Sequence, residues 1–127
     1  GLDEDRSKLA ERWIETVGLS DAADRRVSTY SRGMRQRLSV ARALLHEPSL
    51  LLLDEPLTGL DRDARQDMLA LFSNLRDQGR FVVMITHDFD LPDSFLDHLV
   101  VLRSGKLTFF GEVSDAADML EKFREFA

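Results

Sequence analysis

Two carboxylates stand side by side at Asp54-Glu55, directly after the apolar run Leu50 to Leu53 and directly before Pro56. Such a pair is either a helix-capping turn or a place to hold Mg²⁺ and water, since a hard dication takes oxygen donors and an ionised carboxylate polarises water. A second apolar run, Phe81 to Ile85, ends in Thr86-His87-Asp88. A histidine there is either a satisfied structural group or a catalyst. Upstream, Tyr30-Ser31-Arg32-Gly33-Met34-Arg35-Gln36-Arg37 puts a serine where a helix can begin. As a plain N-cap Ser31 would satisfy one orphan amide, and as an anion site the same helix end would offer unpaired N–H donors and a favourable dipole. Asp61, in Thr58-Gly59-Leu60-Asp61, can cap the next helix. His46 and His98 have no ligand-spaced partner and read as structural.

The elements that must carry these residues follow from periodicity. Leu9, Trp13, Ile14 and Val17 recur at helical spacing behind the acidic cluster Asp3, Glu4, Asp5, and Gly18 ends that helix. Ser20-Asp21 starts a short helical turn, and Arg25 to Thr29 reads as polar linker. From Ser31 onward Met34, Leu38, Ala41 and Leu45 mark the apolar face of a second helix, with Arg35, Gln36 and Arg42 off that stripe and Pro48 closing it. Arg32, Arg35, Arg37 and Arg42 read as a solvated face. The run Leu50 to Leu53 is continuous rather than alternating, which predicts a strand covered on both faces of a parallel sheet. A helix follows, capped by Asp61, carrying Ala64, Met68, Leu71, Phe72 and Leu75 and ending at Gly79; Phe81 to Ile85 is then a second buried strand. A strand, crossover helix and parallel strand place Asp54, Glu55 and His87 on one sheet edge, where open α/β sheets bind ligands. His98 to Arg103 and Leu107 to Phe110 flank Ser104-Gly105-Lys106 as a hairpin, and Ser114 caps a terminal helix with Leu120, Phe123 and Phe126 inward.

With 127 residues the chain can own a core, and its 43% hydrophobic and 31% charged residues suit a globular protein. The net charge of -6 argues against broad adhesion to nucleic acid or anionic lipid. Without Cys, disulfides, thiolate metal sites and Cys nucleophiles are excluded. No apolar run approaches the ~20 residues of a membrane span.

The order of these motifs resembles the later half of the ATP-binding cassette (ABC) ATPases, the nucleotide-driven motors of membrane transporters, from Tyr30 to Gly111. The resemblance implies an α/β fold: a partial P-loop NTPase-type parallel sheet with flanking helices, part of the helical signature subdomain at 1–46, and the C-terminal part of the catalytic core at 47–127 with its β-hairpin and helix. It implies that Asp54 orients Mg²⁺ through water, that Glu55 polarises the water attacking the γ-phosphate of ATP, and that His87 contacts that phosphate and the catalytic carboxylate. Ser31, Arg32, Gly33 and Met34 match the family signature, which binds the γ-phosphate held by the opposite subunit. Asp61 matches the aspartate that couples the two nucleotide sites. Arg32 replaces a usual Gly and Met34 a usual Gln, which is similar to exporter-type members such as drug and haem exporter ATPases.

The expected cofactors are ATP and Mg²⁺, and the expected partners a transmembrane permease and a second ATPase subunit in a head-to-tail dimer, at the inner face of the cell membrane, with no nucleic acid. Alternatives are an ABC ATPase of DNA repair, chromosomes or ribosomes, or a truncated, non-enzymatic interaction module. The family's phosphate loop, G-x-x-x-x-G-K-[S/T], has no match in this chain: Gly105-Lys106 is followed by Leu107 and preceded by Val100 where the first Gly should stand. A start at Gly1 rather than Met agrees with the expectation of a fragment.

Overall fold

The computed structural model describes residues 1–116, 118 and 121. They fall into two compact units, Gly1–Ile85 and Thr86–Ala127. The expected helical part, 1–46, lies within the first unit together with the first strand–helix–strand.

Helix α1 (Leu2–Thr16) has Asp3, Glu4 and Asp5 in its first turn, where carboxylates favour the helix dipole. It ends in a Schellman arrangement: Gly18 adopts φ 72° and donates to Glu15 O at 2.9 Å, while Leu19 N donates to Ile14 O at 2.9 Å. Trp13, Val17 and Leu19 are buried, whereas Leu9 and Ile14 are half-buried. The expected turn at Ser20 forms as a short 3₁₀ helix, Ser20–Ala22. The segment expected as linker contains a second one, Val27–Thr29.

Helix α2 (Arg32–Leu44) packs against α1. Its inward stripe differs from the expected one: Val40, Ala41 and Leu44 are buried, while Met34, Leu38 and Leu45 are half-buried. The rotation follows from Arg37, whose Nη1 donates to the Val17 and Gly18 carbonyls at 3.2 Å each. A guanidinium with carbonyl acceptors on α1 therefore takes a place on the packed side of the helix, and Arg37 does not belong to a solvated face.

Strand β1 (Leu50–Asp54) and strand β2 (Phe81–Ile85) pair in parallel, Leu50 opposite Phe81 through Asp54 opposite Ile85, with helix α3 (Arg62–Asp77) between them in sequence and packed on β2. Met68, Phe72 and Leu75 of α3 are buried, as are Leu51 and Leu53 of β1. The expectation that both strands are covered on both faces is corrected here. The opposite face is open: Leu52 is 70% exposed, Phe81 73% and Ile85 63%, with Leu50 and Val83 also exposed. Alternation along β1 puts Asp54 on this same open face.

In the second unit, β3 (His98–Arg103) and β4 (Lys106–Glu112) form an antiparallel hairpin. Ser104 (φ 51°) and Gly105 (φ 73°) both take left-handed backbone, as a tight two-residue hairpin turn requires, so Gly105-Lys106 is turn and strand rather than phosphate loop. Register shifts between Val101 and Leu102, and Thr108 Oγ1 donates to Val101 O at 3.0 Å beside the irregularity. Ser114 lies inside a 3₁₀ turn, Val113–Ala116, and Leu120, Phe123 and Phe126 of the expected terminal helix lie outside the described residues.

Candidate functional site

Ser31 sits in extended backbone at the N-cap of α2, and its Oγ accepts from Met34 N at 3.1 Å. That leaves the hydroxyl hydrogen free to be donated to an anion. At this helix end Arg35 N donates to Ser31 O at 3.0 Å, while the amides of Arg32 and Gly33 have no acceptor among the described residues. The turn is anchored from behind: the buried hydroxyl of Tyr30 donates to Ala22 O at 2.6 Å, and Arg35 Nη1 donates to Tyr30 O at 2.9 Å. Met34 is half-buried beneath the turn, and the exposed Arg32 runs its aliphatic stem beside Gly59.

Asp54 ends β1 as an exposed carboxylate, and the half-buried Glu55 follows in left-handed backbone, φ 48°. A non-glycine residue in that region is strained and must be held by its neighbours. Three bonds do so: Glu55 N donates to Ile85 O at 2.8 Å, and Glu55 O accepts from Thr58 N and from Gln36 Nε2, each at 3.3 Å. Pro56 and Leu57 are buried directly behind it, pinning the turn to the core. Asp61 caps α3 as expected, its carboxylate accepting from Ala64 N at 2.8 Å.

Between the two carboxylate-bearing turns and the start of α2 the backbones nearly touch. A methyl group at Gly33 would lie 2.9 Å from Gly59 O, and one at Gly59 (φ 78°) would meet the Arg32 stem at 3.0 Å. Gly33 is therefore required by close backbone approach, and Gly59 by its left-handed backbone. The first unit thus gathers Ser31, Arg32, Gly33, Asp54, Glu55 and Asp61 onto two neighbouring connections.

His87 belongs to the second unit, two residues beyond the last residue of β2 in the chain. It is framed by successive turns in which Asp88 N donates to Thr86 Oγ1 at 3.0 Å and Asp90 N to the Asp88 carboxylate at 2.9 Å. His46 and His98 are exposed, and no cluster of three His, Cys, Asp or Glu suited to a metal occurs among the described residues. Gln36, Arg37 and Tyr30 stand in the motif quoted from sequence, but the contacts they make were not expected. Their acceptors lie 19, 20 and 8 residues away, so no local pattern announces them.

The ABC transporter family model matches residues 3–58. The energy-coupling factor transporter ATP-binding protein of Thermotoga maritima is 37% identical over 123 residues, covering 95% of this chain and 45% of that protein. The molybdenum import ATP-binding protein of Brucella abortus is 38% identical over 109 residues, covering 85% of this chain and 30% of that protein. The chain thus spans less than half the length of either relative. Among solved structures, an ATP-binding cassette of an ABC transporter superposes with a TM-score of 0.80 at 25% identity, covering 94% of this chain and 48% of that one. Motif order, parallel pair, signature turn and these likenesses agree, and over the part it spans the chain is similar to the ATPase domain of ABC transporters.

Proposed function

We propose that this chain is the signature-to-C-terminus part of the ATP-binding subunit of an ABC transporter, which hydrolyses Mg-ATP in a head-to-tail dimer and drives a transmembrane permease. The observation that carries this reading is Glu55: a carboxylate at the end of a parallel strand, on a strained backbone clamped by three hydrogen bonds beside the signature turn. Phosphoryl transfer is catalysed mainly by positioning and charge, and a carboxylate carried on a clamped backbone suits the orientation of a water nucleophile. Asp54 is exposed on an adjoining position and offers the hard oxygen donor that Mg²⁺ takes. One carboxylate suffices when phosphate oxygens and water complete the shell, so the donor set fits without a larger acidic cluster. When bound, Mg²⁺ would neutralise phosphate charge.

The other roles are those that the family resemblance implies. Ser31 would donate its hydroxyl, and Arg32 and Gly33 their amides, to a γ-phosphate presented by the opposite subunit, with Met34 fixing the turn and Asp61 meeting the dimer interface. His87 would contact the γ-phosphate of the nucleotide in its own subunit. The phosphate loop must come from elsewhere in the full-length protein, because this chain has no such sequence. The permease partner would place the subunit at the inner face of the cell membrane. The test is Mg-ATP hydrolysis by the full-length protein and its Glu55→Gln variant. The amide keeps the shape and loses the charge, so ATP binding should persist while turnover falls by about 10²-fold or more. Undiminished turnover removes Glu55 from the mechanism, and an inactive wild type removes the ATPase reading.

A further inference from the structure

The signature helix and the carboxylate turn are joined through a side chain that has no role in the reading above. Gln36 projects from the second turn of α2, and its Nε2 donates to the main-chain oxygen of Glu55 at 3.3 Å, across 19 residues of sequence. Glu55 holds φ 48°, a backbone region that a glutamate keeps only when its surroundings impose it. Rotation of the peptide after Glu55 would carry its carbonyl off both Thr58 N and Gln36 Nε2. The same peptide sets the direction in which the Glu55 side chain leaves the strand end.

We infer that Gln36 is a positioning residue for Glu55: its amide locks the strained peptide and so aims the carboxylate, tying that aim to the helix that presents Ser31 and Gly33. The tie is reinforced by close backbone approach, since a methyl group at Gly33 would come within 2.9 Å of Gly59 O. Helix α2 and the turn after β1 are thus held together at two points. The inference rests on the ATPase reading and adds a residue to it.

The experiment is steady-state hydrolysis by the full-length protein with Gln36→Met, which keeps length and volume but has no donor, and with Gln36→Lys, which restores a donor at similar reach. Rates are counted per nucleotide-binding site, so that a partly unfolded sample does not imitate a catalytic loss. For Gln36→Met, kcat should fall by about 10- to 100-fold with KM for ATP within about twofold of wild type, the signature of a misplaced reacting group rather than lost binding. Gln36→Lys should recover at least about a third of the wild-type kcat, since only the donor is needed. In a Glu55→Gln background the Met substitution should change the residual rate by less than about twofold, because a residue acting through Glu55 has nothing left to aim. An active wild type whose Gln36→Met variant is equally fast, or slower only through KM, overturns the inference while leaving the ATPase reading intact. Equal losses in the Met and Lys variants, or a full further loss in the Glu55→Gln background, also overturn it. An inactive wild type overturns the ATPase reading and this inference with it.

Discussion

Ser31 combines two duties that a substitution can separate. Its oxygen accepts from Met34 N, which is the capping duty, and its hydrogen is available to a phosphate. Ser31→Asp keeps a good capping acceptor but adds a negative charge at the anion position. The variant of the full-length protein should therefore melt within a few degrees of wild type while losing ATP-dependent dimerisation. Retained dimerisation would reduce Ser31 to a cap. For His87 the framing turns at Thr86, Asp88 and Asp90 include bonds made without the imidazole, Asp88 N to Thr86 Oγ1 and Asp90 N to the Asp88 carboxylate. His87→Ala should slow hydrolysis by about 10²-fold, the usual worth of a positioned polar group in phosphoryl or acid–base chemistry, with ATP binding little changed. A lower melting temperature as the sole effect identifies His87 as structural.

What the sequence made legible, and what it did not, divides by the range of the interaction. Caps are local: Ser31, Asp61 and the helix-ending Gly18 could be read directly, because the partner amide or carbonyl lies within five residues. The order of Asp54, Glu55 and the crossover to β2 was equally readable, since a continuous apolar run marks a strand and the next helix carries its own periodicity. The buried stripe of α2 was not readable. Spacing alone fits Met34, Leu38, Ala41 and Leu45, but the helix turns to suit carbonyls at the end of α1, a demand made by Arg37 across 20 residues. Tyr30 is a similar case and supplies a stability test. Its hydroxyl donates to Ala22 O from a buried position, and that oxygen also accepts from Arg25 N at 3.1 Å, so Tyr30→Phe removes one of two bonds there and should cost about 0.5–1.5 kcal/mol in denaturant unfolding of the full-length protein. A change within a few tenths would mean that the bond from Arg25 N alone satisfies Ala22 O.

The two-stranded parallel pair is the feature of the first unit that departs most from its own sequence pattern. Its apolar residues were written for burial on both faces, yet Leu50, Leu52, Phe81, Val83 and Ile85 present a contiguous open face, and Asp54 stands on it. Parallel sheets are stable when both faces are covered, and an open apolar face of this kind favours association. The purified 127-residue chain should therefore self-associate. Opposing this is its net charge of -6, a repulsion between copies that acts over a Debye length of ~8 Å at physiological ionic strength and shrinks as salt is added. Association measured by light scattering should accordingly rise with salt, the reverse of what surface ion pairs between copies would give. The same chain should bind Mg-ATP weakly and turn it over negligibly, since pairing two copies supplies carboxylates and signature turns but no phosphate-loop lysine or backbone cradle to offset desolvation of a triphosphate. Adding a polypeptide that carries the phosphate-loop half in trans should suppress the association and raise nucleotide binding together, because the open face and Asp54 adjoin on the same side of β1. Robust turnover by the isolated chain would show that its own residues suffice to hold the phosphates, and a chain that stays monomeric at high salt would show that its open face needs no cover.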